Sequence, residues 1–295
     1  MDAVYACANQ AAPRWREPVR RLQLLVDELV DVDPAIDALR SIDAPACETL
    51  HLAQREESAS IPTKTQIDRF AAAAAPLAGE ELICTNVTYA VAMARHAGAS
   101  VKAFTLIYDA GLLAALEPRL EGPVKLTLFV VTPMDEEDVA ALERMVERDR
   151  LSTLELWSLR TPNVTRVPFV LRVPTLVLGT VALDDAVALF AEATPNAGLQ
   201  ELRIQLNAWS ADEAGARMEA LGTSLGRWPS LALVTVTAPL HQETHLRAED
   251  YARFAAALRS NGRTAVYVPP TNVPPPTLAT RWLKRMAGVA RWLLF

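Results

Sequence analysis

One short pattern recurs along this chain and limits the folds open to it more than any other feature. A middle apolar residue and a second one two places later flank a single variable residue, and a third apolar residue often stands three places before the middle one. The clear copies are Leu151-x-x-Leu154-x-Leu156, Val173-x-x-Leu176-x-Leu178, Leu199-x-x-Leu202-x-Ile204 and Leu231-x-x-Val234-x-Val236. Weaker copies are Cys47-x-x-Leu50-x-Leu52, Val101-x-x-Phe104-x-Leu106, Leu82-x-Cys84, Leu126-x-Leu128 and Val266-x-Val268. The middle residues fall at 50, 82, 104, 126, 154, 176, 202, 234 and 266, between 22 and 32 residues apart, and a further copy begins at Leu22-x-Leu24. Alternation of this kind is the mark of a β-strand with one buried face.

Helix signals fill the intervals. Thr132-Pro133 followed by Asp135, Glu136, Glu137 and Asp138 predicts a helix start, with threonine as cap, proline at the first helical position and acids at the positive end of the dipole. Val139, Leu142 and Met145 continue one apolar face. Ser210-Ala-Asp-Glu213 has the form of a capping box, with Met218 and Leu221 beyond it. Leu183-Asp184-Asp185 opens another helix carrying Val187 and Phe190, and Ala248 to Leu258 sets Tyr251, Phe254 and Leu258 on one side. A unit of one strand, one helix and two loops cannot bury its apolar face alone, so successive units must stack. The expected fold class is α/β, a solenoid with parallel strands on its concave face and helices on its convex face. The flanking apolar residues then point into the core and the spacer residue points to the concave face.

The pattern resembles the leucine-rich repeat family, in the ribonuclease-inhibitor-like subtype, from about Leu22 to Val268. That resemblance implies a horseshoe whose concave face binds protein. The family's asparagine or cysteine, five places after the middle leucine, is matched only by Asn207; Asp109, Val131, Val181 and Pro239 occupy the place elsewhere. The phrase Ile42-Asp-Ala-Pro-Ala-Cys47-Glu-Thr-Leu50-His-Leu52 is also similar to the repeats of fungal F-box proteins, which implies a substrate receptor of a ubiquitin ligase. No F-box is recognisable ahead of the repeats.

Composition narrows the class further. Hydrophobic residues are 51% of the 295 and charged residues 22%, enough to build a large core and too apolar for a disordered chain. A net charge of -6 opposes general nucleic-acid binding, which needs a basic surface. No apolar run approaches a membrane span, and the first residues lack the apolar core of a secretory signal. Cys7, Cys47 and Cys84 form no CxxC pair; Cys47 and Cys84 fall where a small buried residue is needed. A cytoplasmic protein is therefore expected, against the hint of Asn-Val-Thr sequons at Asn86 and Asn163.

Candidate chemistry is sparse. Gly222-Thr-Ser224-Leu-Gly226 matches the nucleophile elbow of serine hydrolases, but it precedes a strand and follows a helix, the reverse of what the elbow requires. Gly222 and Gly226 read instead as helix C-cap and loop residues. His241 and His245 stand four apart without a third metal ligand, in a segment that reads as loop; His51 and His96 are isolated. Neither a metal nor another cofactor is expected, and the chain is read as a non-catalytic scaffold with a protein partner. A serine hydrolase using Ser224 is the alternative.

The informative residues are the spacers. They are His51, Ile83, Thr105, Thr127, Glu155, Val177, Arg203, Thr235 and Tyr267, followed two places on by Ala53, Thr85, Ile107, Phe129, Trp157, Gly179, Gln205, Thr237 and Pro269. Phe129, Glu155, Trp157, Arg203, Gln205 and Tyr267 are the expected partner-binding set, because aromatic residues and arginine dominate binding hot spots. Loop residues 160–166 are the alternative cover for Phe129 and Trp157.

The expected boundaries are an N-terminal tail at 1–15, the repeats at 16–268, a proline-rich linker at 269–276 and an amphipathic helix at 277–295. Trp282, Met286, Val289 and Leu293 give that helix an apolar face beside Arg281, Lys284, Arg285 and Arg291. It either caps the open end of the solenoid, the reading preferred here, or lies on an anionic membrane.

Overall fold

The structure is a computed structural model that describes residues 2–6, 20–26, 33–40, 47–54, 62–157, 168–207, 214–237 and 248–259. Among the described residues ten strands form one open sheet in the order of the sequence: β1 (Asp2–Ala6), β2 (Arg21–Val26), β3 (Cys47–Gln54), β4 (Ala78–Cys84), β5 (Ala103–Ile107), β6 (Val124–Phe129), β7 (Leu151–Trp157), β8 (Thr175–Ala182), β9 (Glu201–Asn207) and β10 (Leu233–Thr237). Every neighbouring pair is parallel. Parallel neighbours require a crossover, and helices alternate with the strands to supply it. They are α1 (Asp33–Arg40), α2 (Lys64–Ala74), α3 (Val87–His96), α4 (Leu112–Leu116), α5 (Glu136–Glu147), α6 (Leu183–Glu192), α7 (Ala214–Leu225) and α8 (Ala248–Arg259). Between β7 and β8 the described residues hold only a 3-10 turn, Pro168–Arg172. One strand, β1, lies outside the repeat pattern and pairs with β2 from within the segment read as an N-terminal tail, while the Val266-x-Val268 copy and the proline-rich linker at 269–276 lie outside the described residues.

The register follows the repeat. Leu22, Leu50, Leu82, Phe104, Leu126, Leu154, Leu176, Leu202 and Val234 lie side by side on successive strands. Leu24, Leu52, Cys84, Leu106, Leu128, Leu156, Leu178, Ile204 and Val236 form a second line two residues further on. Both lines are buried, in one core with Phe70, Met93, Leu113, Leu142, Phe190, Met218 and Phe254 from the helices. A slip of one residue in any strand would turn its pair outward, so burial fixes the register. Cys47 and Cys84 are buried and unpaired, as their positions predict.

Two helix signals are corrected. Helix α5 starts at Glu136, not at Pro133: Asp135 is its cap, and the Asp135 Oδ1 accepts the Asp138 N–H at 2.7 Å. The N–H three residues after Thr132, that of Asp135, is donated to the Tyr108 hydroxyl instead, which leaves the capping role to Asp135. Gly222 lies inside α7 rather than at its end; a Cβ there would stand 2.5 Å from the Phe254 carbonyl oxygen, so the glycine lets α7 and α8 pack closely. Helix α6 begins at Leu183 as expected, and α8 buries Tyr251, Phe254 and Leu258. The capping-box residues Ser210 to Glu213 lie outside the described residues, while Met218 and Leu221 of α7 are buried.

Asp138 does more than begin α5. Its side chain is buried and accepts three main-chain N–H groups at the start of the preceding helix, α4. The Leu113 and Ala114 donors reach Oδ1 at 2.8 and 2.9 Å, and the Gly111 donor reaches Oδ2 at 2.8 Å. Gly111 has φ 81, a backbone conformation that disfavours any side chain, so the cap of α4 comes from the next unit. The buried Tyr108 phenol, held protonated by desolvation, packs into the same cluster and accepts the Asp135 N–H at 3.0 Å. Asp138→Ala strips three donors of their acceptor and should lower the urea unfolding free energy by about 3 kcal/mol. A loss under about 1 kcal/mol would show that α4 is held by its leucines alone.

Candidate functional site

The face of the sheet turned away from the helices carries alternate side chains of each strand. In its central row His51, Ile83, Thr105, Glu155, Val177 and Thr235 are half-buried, Thr127 is buried and Arg203 is exposed. In the next row Ala53, Thr85, Ile107, Phe129 and Gly179 are buried, and Trp157, Gln205 and Thr237 are half-buried. The register sets Phe129 opposite Trp157, and Trp157 opposite Gly179.

These three residues form a shelf. The rings of Phe129 and Trp157 stack with centroids 6.3 Å apart and planes inclined by 22°. The indole covers the place where a side chain on residue 179 would stand: a Cβ there would lie 2.2 Å from Trp157 Cε3. Just past Gly179 the ladder between β8 and β9 slips between Leu178 and Val181, and Thr180 takes φ 60. That conformation is strained for a β-branched residue.

Charge surrounds the shelf in pairs. Lys125 Nζ stands 2.7 Å from Glu155 Oε1, and Trp157 Nε1 is 3.5 Å from Glu155 Oε2. Arg203 turns Nε and Nη2 to Glu201 Oε1 at 2.7 and 2.6 Å. Glu155 and Arg203 thus share one face, as their spacing predicts, but Val177 stands between them and each takes another partner. Gln205 faces Thr237 across β9 and β10. Tyr267 lies outside the described residues, as do residues 160–166.

Sequence reasoning missed a third row, two residues earlier on each strand: Thr49, Glu81, Ala103, Lys125, Thr153, Thr175 and Glu201. The same alternation that marks the spacers extends backwards to these positions, and Glu81, Lys125 and Glu201 are the charges it would have added. Thr49 Oγ1 donates to Glu81 Oε2 at 3.0 Å within this row.

His51 is the titratable outlier. Its Nε2 lies 3.2 Å from Thr85 Oγ1, and that hydroxyl donates onward to the Leu52 carbonyl at 3.1 Å. The Thr85 proton is thereby committed, so the imidazole supplies the proton of the first contact and is held as the neutral Nε2–H form. Burial lowers its pKa to about 4.

The remaining motifs resolve plainly. Ser224 sits in the last turn of α7, not on a strand-to-helix turn. Among the described residues no group of three His, Cys, Asp or Glu could hold a metal ion, and no helix is long and apolar enough to cross a membrane. His241, His245 and the segment at 277–295 lie outside the described residues. Asn86 of the first sequon is buried, and its side-chain oxygen caps α3 by accepting the Thr88 N–H at 3.0 Å. A glycan has no access to it in the folded chain. No model of a known protein family matches the chain, and no curated protein matches its sequence.

Gly179→Ala should push the indole of Trp157 off the shelf, changing the near-ultraviolet circular dichroism while the far-ultraviolet spectrum holds. An unchanged aromatic spectrum would mean that the indole does not rest there.

His51 gives a second test. Between its ordinary pKa of 6.5 and the lowered value of about 4, the unfolded chain takes up a proton that the folded chain refuses. Its contribution to stability is therefore complete above pH ~6.5 and lost as pH falls to ~4. Urea unfolding of wild type and His51→Gln across that range should show the variant losing less stability on acidification; equal slopes would refute the assignment.

Proposed function

We propose that this protein is a non-catalytic scaffold that binds a protein partner on the sheet face opposite its helices. The observation that carries the reading is the Phe129–Trp157 stack on the sheet face opposite the helices, in which the half-buried Trp157 indole rests against the buried Phe129 ring. Aromatic side chains confer much apolar area at little entropic cost, and such anchors concentrate binding energy. Glu155, Arg203 and Gln205 lie around the stack and supply polar contacts at its rim.

A leucine-rich repeat solenoid of the ribonuclease-inhibitor-like subtype is the architecture we infer for it. Support comes from the sequential parallel order, the two buried apolar lines and the helix in most intervals. In that architecture the shelf belongs to the concave face. A substrate receptor resembling the F-box group, borrowing its ligase contact from another chain, is the more specific form of the proposal. Residence in the cytoplasm goes with it, since two unpaired buried thiols and a capped, buried Asn86 suit a reducing compartment.

The test is comparative capture followed by mass spectrometry. A partner held by wild type and lost by Trp157→Ala and by Arg203→Glu, with both variants melting as wild type does, supports the proposal. Equal capture by all three places the interface elsewhere. Recovery of a ligase subunit with that partner bears out the receptor form, and its absence counts against it.

A further inference from the structure

Thr180 is held in a conformation that its side chain opposes. Its φ of 60 lies in the left-handed region, where a β-branched residue is strained. Glycine would take that φ without cost, yet the glycine of this pair stands one place earlier. Gly179 has a φ outside the left-handed region, and its missing side chain leaves room for the indole of Trp157. The chain therefore keeps a side chain at the residue whose backbone favours none. Among the described residues nothing compensates the strain, since the Thr180 hydroxyl has no hydrogen-bond partner there.

The slip in the ladder sets Thr180 beside the shelf. Leu178 pairs with Ile204 and Val181 with Leu206, so Gly179 and Thr180 together stand opposite Gln205. A bulge of two residues against one re-aims a side chain and is over-represented next to active sites. Gln205 is half-buried like Thr180, and among the described residues its carboxamide has no hydrogen-bond partner either. Trp157 faces Gly179 from the other side. An indole, a hydroxyl and a carboxamide thus lie on three neighbouring strands, within two strand spacings of about 10 Å in all.

The row that holds Trp157 and Gln205 is uncharged from Ala53 to Thr237. The charges of this face on β6, β7 and β9 stand nearer the amino ends of the strands and are matched there, Lys125 with Glu155 and Arg203 with Glu201. Hydrogen bonds and apolar contact, not charge, select a ligand at this end. Resting on the protein-binding reading above, we infer that Thr180 is a partner-binding residue. With Gln205 it hydrogen-bonds one main-chain amide of a neutral partner segment, next to an apolar side chain seated on Trp157. A peptide amide offers one donor and one acceptor; a carboxamide supplies both complements, and a hydroxyl supplies either. The hydroxyl finds its bond only in the complex, and the free protein carries the strain.

The experiment is selection of displayed random peptides on the whole protein, with peptides that also bind Trp157→Ala discarded. Fluorescence anisotropy then measures the survivors. Thr180→Gly removes the hydroxyl and the strain together, so it should melt no lower than wild type yet bind about tenfold more weakly. Gln205→Leu should weaken binding to a similar degree, while Thr180→Ser, which keeps the hydroxyl, should bind as wild type does. Raising the salt from about 50 to about 500 mM should change the affinity less than about twofold. Methylating one main-chain nitrogen beside the apolar residue of the peptide should erase the difference between wild type and Gln205→Leu; if no such nitrogen exists, the main-chain assignment falls. Equal binding by Thr180→Gly, or a melting temperature well below wild type, overturns the role of Thr180. Affinity that falls steeply with salt overturns the neutral segment. Each of these failures leaves the protein-binding reading in place, whereas absence of any Trp157-dependent peptide overturns both.

Discussion

Each strand from β2 to β10 has two side chains to bury, and the described helices offer one side of the sheet to bury them against. Everything else in the structure follows from that asymmetry. The two lines of leucine-type residues share one core with the helices. The backbone of each strand is satisfied by the next, so a unit makes sense only between its neighbours. A sheet with helices on both faces would need apolar residues at nearly every strand position. Here the alternate positions are free to be threonine, glutamate, arginine or tryptophan, and the chain uses that freedom on the open face.

The same asymmetry explains what could be read from the residues. Strand positions and register were legible because an apolar pair with one spacer is a local signal that a wrong register would expose. The cores of α6 and α8 were legible for a similar reason, their periodicity being carried by Phe190 and by Tyr251, Phe254 and Leu258. Helix starts were less so. Thr132 and Asp135 are both competent caps, and only the path of the chain decides that Asp135 meets the right N–H. Gly222 looks like a helix end in sequence because its true reason, the closeness of Phe254, lies 32 residues away.

The site was half legible. Alternation places Phe129, Glu155, Trp157, Arg203 and Gln205 on one face, and they are there. It does not say which charges pair, because pairing depends on side-chain reach across strands. Lys125 reaches Glu155 diagonally, and Arg203 folds back on its own strand to Glu201. Nor does it reveal why residue 179 is glycine, since the cause is an indole contributed by the preceding strand.

Helix α4 has only five residues, too few to persist in water unaided, and the group that completes its first turn arrives 27 positions after Gly111. A polypeptide is made from its amino end, so residues 111–116 are joined to the chain before the aspartate that fastens them. That stretch must wait, unsecured, for its successor to be synthesised. The solenoid-like stack is thus tied from the later unit back to the earlier one, against the direction in which the chain is born.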